Sequence, residues 1–132
     1  MSGTTANLNN TPDNVDTGND SIVIVANLEN IPGGKTLDVT GFAPLVIPAG
    51  HIVIEETSTG VLKPMPVSGA AYGSLPASHT YKGVTVSSVL TAKPFVSVMV
   101  RGSVNKNASF YAIASVLVAV KAALPLIIFT QD

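Results

Sequence analysis

The feature that most limits how this chain can fold is the brevity of its apolar runs. Up to Arg101 each run is short, rich in β-branched residues, and bounded by glycine or proline. That pattern suits strands and turns and leaves no room for long helices. Ser21–Ala26 (SIVIVA) reads as the first strand, and Ile31-Pro32-Gly33-Gly34 as a turn. Leu37 and Val39 alternate with polar residues across Thr36–Thr40, which predicts a second strand. Pro44 and Pro48 bracket Leu45-Val46-Ile47, so that run is expected at a sheet edge or entry. Ala49-Gly50 turns into the strand His51–Ile54. Thr57–Gly60 reads as a hairpin loop leading into Val61–Met65, and Val67–Ser78 as a loop holding Gly69, Gly73 and Pro76. Val84–Leu90 and Phe95–Arg101 read as further strands. In the latter, Val96, Val98 and Val100 share one face, expected to be the core face, and Phe95, Ser97, Met99 and Arg101 the other.

The period then changes. Phe110, Ile113, Leu117, Val120 and Leu124 step by three and four, the stripe of an amphipathic helix. Asn107 or Ser109 is placed to cap its start, Lys121 suits the last turn, and Pro125 ends it. Leu126–Thr130 (LIIFT) returns as a short strand. The stripe spans only two heptads, so packing on the sheet is expected before a coiled-coil seam. The fold class is therefore mainly β (α+β). It is expected as a compact β-sandwich or small β-barrel-like domain over residues 21–132, with one C-terminal helix and a short final strand.

Residues 1–20 stand apart, with five Asn, four Thr and three Asp but no Lys, Arg or aromatic residue. A segment without apolar period cannot bury enough surface to offset its ordering entropy. It is expected to be an extended arm that orders on a partner. The 132 residues suit one domain. Only 11% are charged, against roughly 25% in average domains, so part of the surface is expected to be covered by a partner or kept soluble by Ser, Thr and Asn. A net charge of −1 offers no basic face for nucleic acid. Cysteine is absent, which excludes disulfides, thiolate metal sites and thiol nucleophiles. The first residues lack a basic n-region and an apolar h-region, so classical secretion is not expected. Ala108–Val120 carries no charge, yet a membrane span needs about 20 residues, and Lys121 and Pro125 interrupt its extension.

The residues that imitate chemistry fail on context. Gly34-Lys35-Thr36 resembles the end of a phosphate-binding loop, but Glu29 stands where that loop needs glycine, and a strand pattern follows instead of a helix. Glu55 and Glu56 are neighbours on a strand, so they point to opposite faces and cannot act as a carboxylate pair. His51 and His79 are the only histidines, too few for a zinc site. Ser78-His79 sits in no nucleophile-elbow motif. No catalytic residue, metal or cofactor is expected.

Several stretches, in order, resemble the head-fibre and capsid-decoration proteins of tailed bacteriophages. They are Ile47-Pro48-Ala49-Gly50-His51-Ile52-Val53, Gly60-Val61-Leu62-Lys63-Pro64, Lys82-Gly83-Val84 and Val98-Met99-Val100-Arg101-Gly102-Ser103-Val104-Asn105, and finally Val120-Lys121-Ala122-Ala123-Leu124-Pro125-Leu126-Ile127-Ile128-Phe129. The resemblance covers residues 47–129. It implies a homotrimer on the outer capsid surface of a virion, bound to the major capsid protein, with no nucleic-acid, membrane or small-molecule partner. Because the chain ends at Asp132, it implies a compact decoration domain more than a long fibre. It also implies that the arm touches the shell, with Thr4, Asn7, Leu8, Asn10, Asp13, Val15 and Asp20 as contacts. The alternative is a carbohydrate- or receptor-binding β-domain, for which Tyr72 and Tyr81 are the attractive aromatic residues.

Overall fold

The computed structural model describes residues 20–130. The arm positions Thr4, Asn7, Leu8, Asn10, Asp13 and Val15 lie outside the described residues. Asp20, expected to close an extended arm, instead opens a helical turn, α1 (Asp20–Val23). The strand predicted from Ser21 therefore begins later, as β1 (Ile24–Asn30). Tertiary packing explains the shift. Val23 is buried, and its side chain occupies the space that a Cβ on Gly50 would need.

The fold is mainly β, as expected. Its central sheet contains β1, β4 (Ile52–Glu56), β5 (Leu62–Pro64), β8 (His79–Thr85), β11 (Val98–Asn105) and β12 (Ile127–Thr130). The order is β1-β11-β8-β4-β5, and β12 pairs parallel to β11. One edge of β11 meets β1. The other meets β8 at Val98–Met99 and β12 at Gly102–Asn105. Three two-stranded pairs complete the set. β2 (Lys35–Thr36) joins β10 (Phe95–Val96), β3 (Val46–Ile47) joins β9 (Val89–Leu90), and β6 (Val67–Ser68) joins β7 (Ala71–Tyr72). The central sheet stays open, so the layered, sandwich-like form is the one observed.

Both faces of this sheet are covered in its middle. Ile52, Ile54, Val84, Met99 and Val104 pack with Tyr72, Tyr111, Ile113, Val120 and Ile127 on one side. Val53, Leu62 and Val98 pack with Leu37, Ile47 and Val96 on the other. The alternation of Ile52 and Ile54 against Val53 assigns the two sides. The valine face of 95–101 does reach the core at Val96 and Val98, but Met99 on the opposite face is equally buried. A strand buried on both faces loses the simple alternation.

The turn reading of Gly33-Gly34 holds: both have positive φ and lead into β2. The predicted strand 36–40 ends at Thr36, because Asp38 and Thr40 form a local side-chain turn instead. The 67–78 loop contains the β6–β7 hairpin. The predicted C-terminal helix is shorter than its stripe. It runs as α2 (Leu117–Ala123), with Val116 at its N-cap and no side-chain capping bond. Asn105 caps a short 3-10 turn, Lys106–Ala108, instead. Phe110 lies before the helix and is 72% exposed, while Val116, Val120 and Leu124 form the buried stripe. The reason is a tertiary bond pair. Ala112 N–H donates to the Ala70 carbonyl (2.8 Å) and Ala112 C=O accepts from Tyr72 N–H (3.2 Å), so this backbone bonds to the β6–β7 hairpin and not along a helix. Lys121 sits in the last turn and the helix ends before Pro125, as expected.

Candidate functional site

His51 enters the structure as a core residue, fully buried at the start of β4. Its Nε2 lies 2.9 Å from the Met65 carbonyl oxygen, and its Nδ1 has no hydrogen-bond partner. A carbonyl can only accept, so Nε2 carries the proton and donates. Phe42, Tyr72 and Tyr111 surround the imidazole at centroid distances of 5.4, 5.2 and 5.4 Å, with edge-type contacts. Burial disfavours the charged ring and holds its pKa down at about 4, against an opposing contribution from the Met65 carbonyl. This is a packed neutral imidazole walled by aromatic rings.

Tyr72, one of the two aromatic residues expected to serve a sugar site, is part of the same cluster and is buried. Its phenol oxygen accepts from Ile52 N–H at 3.1 Å, and burial pushes its pKa up. Tyr81 is half-buried against the same core. Tyr72→Phe is expected to destabilise the fold by about 1–3 kcal/mol, because the buried Ile52 N–H loses its acceptor. A chemical denaturation midpoint unchanged from the parent would contradict this role.

The two glutamates separate as the strand geometry requires. Glu55 lies 3.7 Å from Lys82, a partly exposed pair of small energetic weight. Glu56 accepts from the Thr59 hydroxyl at 2.7 Å within the 57–60 hairpin loop. Among the described residues no group of three His, Asp or Glu side chains comes together in a way that could hold a metal ion. No helix among them is long and apolar enough to cross a membrane.

A cleft of about 210 Å³ opens at the β5 edge of the sheet, lined by residues far apart in the chain. Asp38 and Thr40 come from the segment after β2, Lys63 from β5, and His79 from the start of β8. Asp38 is tethered through its N–H to the Leu62 carbonyl (2.8 Å). Its Oδ1 accepts from the Thr40 hydroxyl (2.7 Å) and Thr40 N–H (3.1 Å), which hold the carboxyl below its usual pKa. Phe42, Ile54 and three prolines supply the apolar wall. The only sequence signal was Asp38-x-Thr40-Gly41, a side-chain turn pattern.

The second conspicuous surface is apolar. Across β1, β11 and β12, Ile24, Val104 and Phe129 are register neighbours facing the core. The next row, Ala26, Ser103 and Ile128, therefore faces the other way. No layer among the described residues covers it there, and Ile128 is 61% exposed. Ile22, Val25, Leu28 and Leu126 are also exposed on the neighbouring segments. Val118 on α2 is 83% exposed.

No protein-family model, curated protein or solved structure matches the chain.

Proposed function

We propose that this protein is a non-enzymatic capsid decoration protein of the tailed-phage head type. In this reading it sits on the outer surface of a virion, self-associates as a homotrimer, and binds the major capsid protein. The observation that carries the proposal is the ordered residue resemblance over 47–129. The exposed apolar side chains on β1 and β12, such as Val25, Leu28 and Ile128, support it, since exposed apolar area marks a contact surface. The arm of residues 1–20, with Asp20 at its end, adds reach. Each arm binds weakly because ordering it costs about 2–5 kcal/mol. Three arms joined in one trimer multiply affinity on the order of a hundredfold.

Two measurements test this. Light scattering coupled to size exclusion is expected to give about three times the 13.5 kDa chain mass. A monomer at micromolar concentration removes the trimer. Co-sedimentation with capsids of the encoding virus is expected to show saturable binding that drops at least tenfold when residues 1–20 are deleted. Binding that survives the deletion intact removes the arm from the mechanism, and absence of binding by the full chain removes the capsid reading.

A further inference from the structure

The second half of β11 is flanked by two strands with no strand beyond either of them. β1 ends the sheet on one side, and β12 pairs with β11 alone on the other. Among the described residues no strand except β11 forms a ladder with β1 or β12, so each keeps one open row of backbone donors and acceptors. An open edge is a template for another chain, and proteins commonly guard it with lysine, proline or other charges. β12 has no charged residue and no proline, and Glu29 is the one charge on β1. Bulges can also guard an edge, but the unpaired residues at the bulges of β1, Val25 and Leu28, are apolar and exposed. The uncovered row Ala26, Ser103 and Ile128 crosses the same three strands. Leu126 lies two residues before Ile128, on the same side, and is exposed as well.

A second copy of this chain fits both edges at once. β1 runs antiparallel to β11 and β12 runs parallel to it, so β1 and β12 point in opposite directions. Setting β12 of one copy beside β1 of the next therefore extends the sheet by antiparallel pairing, the more stable kind. Because β12 is uncharged, Glu29 of the neighbour meets no like charge there. Such a contact joins two different edges, so it repeats from copy to copy and closes into a ring when the rotation allows. A two-fold β1–β1 contact would leave β12 and Ile128 bare. A closed ring leaves no free edge, and its inner side can bury the apolar row. We infer that copies of this chain associate by pairing β12 of one with β1 of the next, which buries the row Ala26, Ser103 and Ile128. The inference rests on the trimer reading and names the surface that builds the trimer.

The experiment is light scattering of the full chain over a dilution series. Ile128→Glu and Ala26→Lys are each expected to raise the concentration of half-dissociation roughly tenfold or more, since each would bury an unpaired charge. The double variant sets opposite charges across the β12–β1 seam and is expected to associate more tightly than either single variant. Val61→Glu changes an exposed residue before β5, at the other end of the strand order, and is expected to associate like the parent. A monomeric parent chain removes the trimer reading, and this interface with it. A trimeric parent whose association neither single variant weakens, or which Val61→Glu weakens as much, overturns the interface alone. A double variant no tighter than the single ones overturns the β12–β1 pairing. Amide hydrogen exchange on the parent chain needs no variant to fold. Amides within 24–30 and 127–130 are expected to exchange more slowly in the associated form, and equal exchange in both forms overturns the inference.

Discussion

Gly83→Val is expected to lower the stability of this fold by roughly 3 kcal/mol or more. Gly83 lies in β8 beside the central strand β11. A Cβ placed there would collide with the Met99 carbonyl oxygen and press on Val98 Cγ1 at 3.0 Å. The obstacle is backbone, which cannot rotate away as a side-chain end can. The β8–β11 pairing is short, with Val98↔Thr85 and Met99↔Val84 continued by Val86 N–H donating to the Ser97 carbonyl (3.1 Å), so a local displacement would part the sheet where both cores meet. Gly102 repeats the arrangement on the opposite edge of β11. Its φ is +154°, and a Cβ would meet the Ala26 carbonyl of β1. Gly33→Ala is the control. It has φ of +79° but nothing within 4 Å, so only backbone strain of about 1–2 kcal/mol is expected. Urea midpoints for the two variants check this, and equal losses at Gly33 and Gly83 would contradict the steric account.

Acidification is expected to remove about 3 kcal/mol of stability through His51 alone. In the folded chain burial holds this imidazole neutral down to about pH 4, whereas in the unfolded chain it titrates near its ordinary 6.5. Between those values the unfolded state binds a proton that the folded state refuses, so unfolding is favoured as pH falls. The contribution is fully present above about pH 7, declines from pH 6.5 to pH 4, and is gone below. Asp38 acts in a lower window. Its carboxyl is held below the usual 3.8, chiefly by the Thr40 hydroxyl, so its contribution is lost only in more acid solution. His51→Gln retains a side-chain donor for the Met65 carbonyl and cannot take up a proton. Denaturant titrations at pH 7 and pH 4.5 are expected to show a steep loss in the parent chain and a much flatter response in the variant. Parallel responses would assign acid lability to other groups.

In the proposed surface role, the sheet packed on both faces around β11 backs exposed side chains such as Ile128 on β12. The Asp38–Lys63–His79 cleft sits at the β5 edge, while the uncovered apolar row runs across β1, β11 and β12 at the other end of the strand order. A decoration protein bound through one would leave the other open to solvent.

Short-range signals carried much of the architecture. The β-branched runs read at 51–54, 95–101 and 126–130 fall on β4, on β10 with the first half of β11, and on β12; with the 57–60 hairpin loop and the stop at Pro125 they follow from local propensity and turn chemistry. Where long-range bonds compete with local preference, the sequence reading fails. Val23 is drawn into a helical turn by the space above Gly50, although SIVIVA favours a strand. Ala112 bonds to the β6–β7 hairpin, so the 110–116 half of a well-formed helical stripe stays non-helical. His51 shows the same limit, because nothing near it in sequence announces three aromatic rings arriving from residues 42, 72 and 111. The cleft of Asp38, Lys63 and His79 was the least legible feature. Its members lie up to 41 positions apart and meet only because β5, β4 and β8 are adjacent in the sheet. For the runs at 51–54, 95–101 and 126–130, strand identity is a local property of side chains, and the sequence alone determined it. Which strands become neighbours is set by burying two cores at once, and only the tertiary structure decided that.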